Sequence, residues 1–485
     1  MIILTSCYKE EVVFNSSANA KLDLPLLLRL NDKECFQDYT SQSLRYALSQ
    51  EDLNDFSALV EFQDYSEITF EDEMLLNNSV THFGDIELNR AYELTIKTRN
   101  QTKFFTLTFT NLPTVRIVTP NKIVDEPKTL AKISVNYPEA SETSEEYYIG
   151  IEYRGGYSQS FDKKSYGIEL KGSLNLGDDI SGSFFDKKKN NDWILDAMWI
   201  DRSRLRNKTS FEIWNSMNSD NDYGIESEFV ELYLNNEFQG IYCLNEQMNA
   251  ELLNITSSEG VLYKAVSWEN GATEFNRYSN SSPPLSNYWD GWEHKYPDPD
   301  IKLNWSPLRQ LRNLAVNGSD EEFLDQITNH IDIDQFMDYY IFLNLTSALD
   351  NTGKNTFLVK ESGSEKLKII PWDLDGSFGL YWDGSSINHI SILTNNIYTR
   401  LFELNPNDII ANLKLRWNSL RTSELSVSAL NNAYSANFET LKISGTTAEE
   451  NRIWGSTLNL VEEEAYTLNW IGDRLSFLDL HFDGL

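Results

Sequence analysis

Strand-type patterns crowd the first half of this chain and helix-type periodicities the second, an order that restricts the fold more than any other property of the sequence. From residue 24 to about 118, short apolar runs are broken by polar turns, as at 26–28, 58–62, 68–70, 92–96 and 104–109. Their spacing and β-propensity predict a small β-sandwich of immunoglobulin-like type over residues 24–111. It holds no concentrated polar cluster, which suits a spacer or adhesion module. Strands are expected next at 115–118, 131–135, 148–153 and 166–170. Residues 229–234 and 238–244, joined through Asn235-Asn236, carry a hairpin signal. One helix interrupts the strands, at 203–217, with Asp201 placed to cap its start. A polar, aromatic segment at 267–306 reads as an insertion or lid. Helices are predicted at 307–316, 321–330 and 333–349, and the last hundred residues are mostly helical. Strands with one helix, then mostly helices, make an α+β chain with two lobes.

Composition narrows the function classes. At 485 residues the chain exceeds the size of a single growing core, so two or three domains are expected. Its 74 acidic and 41 basic side chains give a formal charge of -33, which argues against nucleic acid or an anionic membrane surface as partner. Twelve Trp and 24 Tyr argue against disorder, so the acidity is a solvated coat on folded domains. Three cysteines and five scattered histidines supply neither a disulfide framework nor a zinc spacing. No run approaches the roughly 20 apolar residues that a membrane-spanning helix needs.

Residues 1–7, MIILTSC, resemble the lipobox of bacterial lipoproteins, in which the cysteine, here Cys7, is lipidated. The following Tyr8-Lys9-Glu10-Glu11 resembles the pattern that marks surface-exported lipoproteins of the Bacteroidota. The resemblance implies an extracytoplasmic protein at the outer membrane or cell surface, with residues 1–23 a signal remnant and polar tether.

The sharpest chemical pattern is Asp350-Asn351-Thr352-Gly353-Lys354-Asn355, then a strand-like stretch, then a second strand that delivers Pro371-Trp372-Asp373-Leu374-Asp375. Phosphoryl transfer uses one carboxylate at the attacking hydroxyl, and an amide with a second carboxylate at a magnesium ion. Asp350, Asn355 and Asp373 fit those roles in order. From spacing alone Asp350 and Asn351 also fit a helix-terminal turn, and Asp373 and Asp375 a tight loop, and both readings stand.

Four ordered segments resemble the spore coat protein H family. They are Arg154-Gly155-Gly156 to Lys163-Lys164-Ser165-Tyr166; Trp193 with Asp201 and Leu205-Arg206-Asn207; 230–235 through Gln239-Gly240-Ile241-Tyr242 to Glu246-Gln247; and Pro371 to Asp375. The resemblance implies an atypical protein-kinase-like domain over 112–485, with an N-lobe at 112–266 and a C-lobe at 307–485. It implies a kinase that uses ATP and Mg²⁺, or Mn²⁺, to phosphorylate Ser of a protein substrate. Carried over position by position, Asp350 is the catalytic-loop carboxylate, and Asn355, Asp373 and Asp375 form the metal set. Lys164, with Lys163 as alternative, meets the phosphates, Arg154 opens the glycine turn, and Glu246 lies near the adenine. Departures are Arg154-Gly155-Gly156-Tyr157 in place of the usual Arg-Gly-Asn-Ser, and the absence of a clear glutamate partner for the lysine, for which Glu212 is a candidate. Two other readings compete: a non-catalytic surface adhesin or scaffold that keeps the fold, and a carbohydrate-active enzyme using Asp373 and Asp375. The closeness of those two aspartates on one short loop disfavours the latter.

Overall fold

The computed structural model describes residues 28–485 except 63–66, 98–101, 140, 143, 218–222 and 279–282. Cys7 and the tether lie outside the described residues. The described chain divides into two units, both mixing strands and helices. One contains the residues up to Ala197, together with Glu228–Leu244 and Thr440–Thr457; the other contains Met198–Ser227, Asn245–Glu439 and Leu458–Leu485.

In the first unit, residues 28–110 form a four-stranded and a six-stranded sheet whose apolar side chains share one cluster, including Leu30, Leu44, Tyr46, Val60, Ile68, Leu94 and Phe109. Next to it seven strands close into a barrel. In barrel order these are Thr114–Val118, Thr129–Asn136, Glu145–Arg154, Ser165–Lys171, Asp192–Asp196, Glu237–Glu246 and Ser227–Leu234. The closing pair, Thr114–Ile117 against Glu231–Leu234, is parallel. Successive side chains of a strand point to opposite faces, so each strand offers an i, i+2 pair to the interior. The pairs are Val115/Ile117, Ile133/Val135, Ile149/Ile151, Ile168/Leu170, Trp193/Leu195, Val230/Leu232 and Tyr242/Leu244, all buried in one core. The Asn235-Asn236 hairpin is as expected, with both residues at positive φ, 50° and 61°, as a primed turn requires.

In the second unit a five-stranded sheet runs Tyr288–Trp289, Trp292–Tyr296, Val261–Ala265, Thr356–Lys360, Lys368–Pro371. Part of the 267–306 segment is built into this sheet. Its hairpin, turned through Asp290 and Gly291 at φ 47° and 83°, extends this sheet. Trp289, Trp292 and Trp305 are buried, and the Arg312 guanidinium lies 4.5 Å from the Trp289 ring. These three tryptophans are used up in packing.

The Arg206–Met217 helix begins later than predicted because Arg204 adopts φ 63°. Asp201 is nevertheless its cap, accepting from the Leu205 and Arg206 N–H groups at 2.8 and 2.7 Å. Burial alone would raise its pKa, but Arg206 and the N–H donors hold it below the usual carboxylate range. The Ile333–Thr346 helix ends where Ser347 turns left-handed, and a 3-10 turn, Leu349–Thr352, carries the chain onward. No helix among the described residues is long and apolar enough to cross a membrane.

Candidate functional site

Within the second unit, Asp350 sits in the 3-10 turn, its side chain 19% exposed and its Oδ2 3.6 Å from Lys354 Nζ. Asn355 ends the loop and Asp373 follows the paired strands Thr356–Lys360 and Lys368–Pro371. Thr356 pairs with Pro371, so Asn355 and Asp373 flank the same end of one hairpin. Both are left-handed, at φ 53° and 56°. Such conformations cost about 1 kcal/mol or more and persist only where the surroundings enforce them.

The enforcing residue is Asn351, which sequence reasoning left in a helix-terminal turn. Its buried Nδ2 donates to the carbonyls of Asn355, at 2.8 Å, and Trp372, at 2.9 Å. Tyr339 Oη donates to the Asn351 carbonyl at 2.8 Å, and Trp372 N–H donates to the Asn355 carbonyl at 2.9 Å. One amide thus locks the loop to the strand end. The Asp373-to-Gly379 segment is fixed from its other side by Asn207, whose Oδ1 accepts from Leu374 N–H at 3.0 Å, and by a 3.1 Å contact between the Ser210 and Ser377 hydroxyls. This explains why the Leu205-Arg206-Asn207 and Pro371-to-Asp375 motifs occur together, though 167 residues apart.

Asn355 is buried, Asp375 half-buried and Asp373 exposed. Among the described residues no three His, Cys, Asp or Glu side chains gather as a metal site. Two carboxylates and an amide suit Mg²⁺, which keeps several waters and is held by one or two carboxylates plus phosphate oxygens. Glu246 ends its barrel strand and is buried, with Oε2 accepting from Glu226 N–H at 2.9 Å.

Within the first unit, Arg154 and Ser165 pair across the strands Glu145–Arg154 and Ser165–Lys171, so residues 155–164 form the loop of one hairpin. Lys163 and Lys164 lie in this loop, just before the strand. Adjacent extended residues face opposite ways, and they separate accordingly. Lys164 Nζ donates to the loop's own carbonyls at Gln159, 2.7 Å away, and Phe161. Lys163 points inward, is fully buried, and stands 3.0 Å from both carboxylate oxygens of Glu450. The geometry thus favours Lys163 over Lys164 as the paired lysine.

Glu450, on the Thr446–Trp454 helix, is the counter-ion that the sequence did not reveal. Glu212 is not the partner: its carboxylate receives Lys208, at 2.7 Å, and Asn437, at 2.6 Å, in the other unit. Glu450 Oε2 also accepts from Ile241 N–H at 2.7 Å, and Lys163 donates to the Ile241 carbonyl. The ammonium lies 4.5 Å from the centre of the Tyr242 ring. Gly240 makes room: at φ +94°, a Cβ there would stand 2.5 Å from Glu450 Oε2. The Gly240-Ile241-Tyr242 motif is accordingly a seat for this ion pair.

The model of the family described as CotH kinase protein matches residues 151–478. The inner spore coat protein H of Bacillus subtilis (strain 168) is 24% identical over 247 residues, 48% of this chain and 59% of that protein. The chain therefore spans somewhat over half the length of this curated relative. Among solved structures, the Helicobacter pylori proinflammatory kinase CtkA is matched over 74% of this chain and 95% of its own, at 10% identity and a TM-score of 0.23.

Proposed function

The chain belongs to the CotH kinase protein family, and from that premise we propose that it is an ATP-dependent protein kinase that phosphorylates Ser of a protein substrate. The observation that carries this reading is the hairpin end where Asn351 clamps Asn355 and the residue before Asp373. Asp350 accepts the hydrogen bond of the attacking hydroxyl and orients it. Asn355 and Asp373, with Asp375 beside them, hold Mg²⁺ or Mn²⁺. The metal, when bound, neutralises charge on the phosphates. Lys163, its charge kept in place by Glu450, is the lysine directed at the phosphates. Arg154 and the Gly155-Gly156 turn cover the nucleotide, and Glu246 supports the adenine side through the backbone it anchors.

Transfer of labelled phosphate from ATP to a Ser-containing protein, or to the chain itself, tests the proposal. Asp350→Asn is expected to lower kcat about 10²- to 10⁴-fold, and Asp373→Asn to abolish metal-dependent transfer. Absence of nucleotide binding by the wild type with magnesium or manganese refutes it.

The altered glycine turn favours a second reading, a non-catalytic surface adhesin or scaffold, which unchanged partner binding in both Asp variants would support. The two N-terminal sheets are read as an immunoglobulin-like sandwich. The protein is placed at the cell surface by a lipid on Cys7, which palmitate labelling lost in Cys7→Ala tests.

A further inference from the structure

The N-terminal module reaches the helix that carries Glu450 at both of its ends, at the start through a shared barrel residue and the residue preceding Ser444, at the far end directly. At its start, Thr446 Oγ1 donates to Glu231 Oε1, a buried oxygen that also accepts from Arg45, at 2.7 Å, and Thr110, at 3.0 Å. Arg45 and Thr110 belong to the six-stranded N-terminal sheet, Glu231 to the barrel. Just before the helix, Asn89 Nδ2 donates to the Ile443 carbonyl at 2.6 Å. The chain enters through Gly445 at φ +62°, where a Cβ would lie 2.6 Å from Asn89 Cγ. At the far end, Ile453 packs on Phe36, Tyr233 and Phe238, and Phe36 is again from the N-terminal module. Glu450 lies between these two anchorages.

We propose that the N-terminal sheet module, expected to be a spacer, is a brace that sets the position of the Thr446–Trp454 helix and so holds Glu450 on Lys163. Arg45, Asn89, Thr110 and Phe36 are positioning residues in this arrangement. Without them the helix keeps two tethers to the barrel, Thr446 on Glu231 and Trp454 Nε1 on the Gln239 carbonyl at 2.9 Å, but Glu231 loses the Arg45 and Thr110 donors that fix it, and the helix entry loses Asn89. Position of such a glutamate is what governs a kinase's lysine. The effect on phosphate transfer therefore rests on the reading above, whereas the brace itself does not.

Hydrogen exchange on the full chain separates the two. In Thr446→Val, which removes the hydroxyl at constant shape, amides of residues 446–454 and the Ile241 amide should exchange roughly ten- to a hundredfold faster, as loss of a hydrogen bond to a buried charge implies. Barrel strands 129–136 and 145–154 should be unchanged. Thr446→Ser should restore wild-type protection. Asn89→Ala, which removes a half-buried contact made by the N-terminal module itself, should raise exchange of the same amides and decides the module's part, since Thr446 bonds a barrel residue. Unchanged protection at 446–454 and Ile241 in Asn89→Ala overturns the brace, whatever Thr446→Val shows. If the brace holds and the wild type transfers phosphate, Thr446→Val lowers kcat several-fold and Thr446→Ser restores it. A wild type without transfer sinks the kinase reading and leaves the exchange result to decide the brace.

Discussion

Replacing the Lys163–Glu450 pair, singly and together, tests the first unit most sharply. Neither side chain has any exposure, and the ammonium sits 3.0 Å from both carboxylate oxygens. In Lys163→Met the buried carboxylate keeps its Ile241 N–H donor but loses its cation, and the Ile241 carbonyl loses a donor. Breaking a buried pair from one side costs about 3–5 kcal/mol, and each orphaned buried polar group about 1–3 kcal/mol. The single variant should therefore lose at least about 4 kcal/mol, a large part of the 5–15 kcal/mol typical of a domain. Glu450→Leu leaves a buried ammonium and strips the Ile241 N–H, for a loss of similar size. Lys163→Met/Glu450→Leu removes both charges and leaves only the two Ile241 backbone groups unsatisfied, at about 2–6 kcal/mol. The double variant should thus be more stable than either single one, with a coupling of about 2 kcal/mol or more. Urea-dependent hydrogen exchange of the barrel amides measures the three losses. Phosphate transfer should stay lost in all three. Additive losses, or single losses below about 1 kcal/mol, would refute the reasoning.

Three further expectations follow from particular contacts. Asn351→Ala should cost about 1–3 kcal/mol, because the buried Trp372 carbonyl loses its donor while the Asn355 carbonyl keeps the Trp372 N–H, and should weaken metal-dependent nucleotide binding although Asn351 holds neither ligand; calorimetric titration with Mg-ATP checks this. Gly240→Ala should cost about 2 kcal/mol or more, from the positive φ and the crowding of Glu450, and its thermal midpoint should fall well below that of Gly84→Ala, where φ is +76° and nothing lies within 4 Å of the added Cβ, only if the Glu450 carboxylate must move. His294 is buried, its Nε2 accepting from Asn304 N–H at 3.0 Å, and burial lowers its pKa from 6.5 to about 4. Its folded value lies below its unfolded one, so the stability it contributes is complete above pH 6.5 and is lost as pH falls toward 4, by at most about 3 kcal/mol; a stability-versus-pH slope unchanged in His294→Gln would count against it.

Features that depend on neighbouring residues were legible in the sequence. The alternation that fills the barrel, the Asn235-Asn236 turn, the Asp201 cap and the hairpin that carries Asp373 each follow from residues a few positions apart. The pattern from Asp350 to Asn355 and Pro371 to Asp375 was visible for the same reason, as one loop and one hairpin. The tryptophans of the 267–306 segment read alike in an insertion and in a lid; only the tertiary structure shows Trp289, Trp292 and Trp305 buried.

The ion pair and its support were decided by the tertiary structure. Lys163 and Glu450 are 287 residues apart, and no local pattern marks a glutamate on a short late helix as the partner of a lysine in an early hairpin loop. Choosing between Lys163 and Lys164 required the loop's path, which spends Lys164 on its own carbonyls. Sequence determines which side chains alternate, cap and turn, because those interactions close over a few bonds. Which buried charge meets which is set by how distant elements pack, since a charge removed from water is tolerable only where the fold brings its partner.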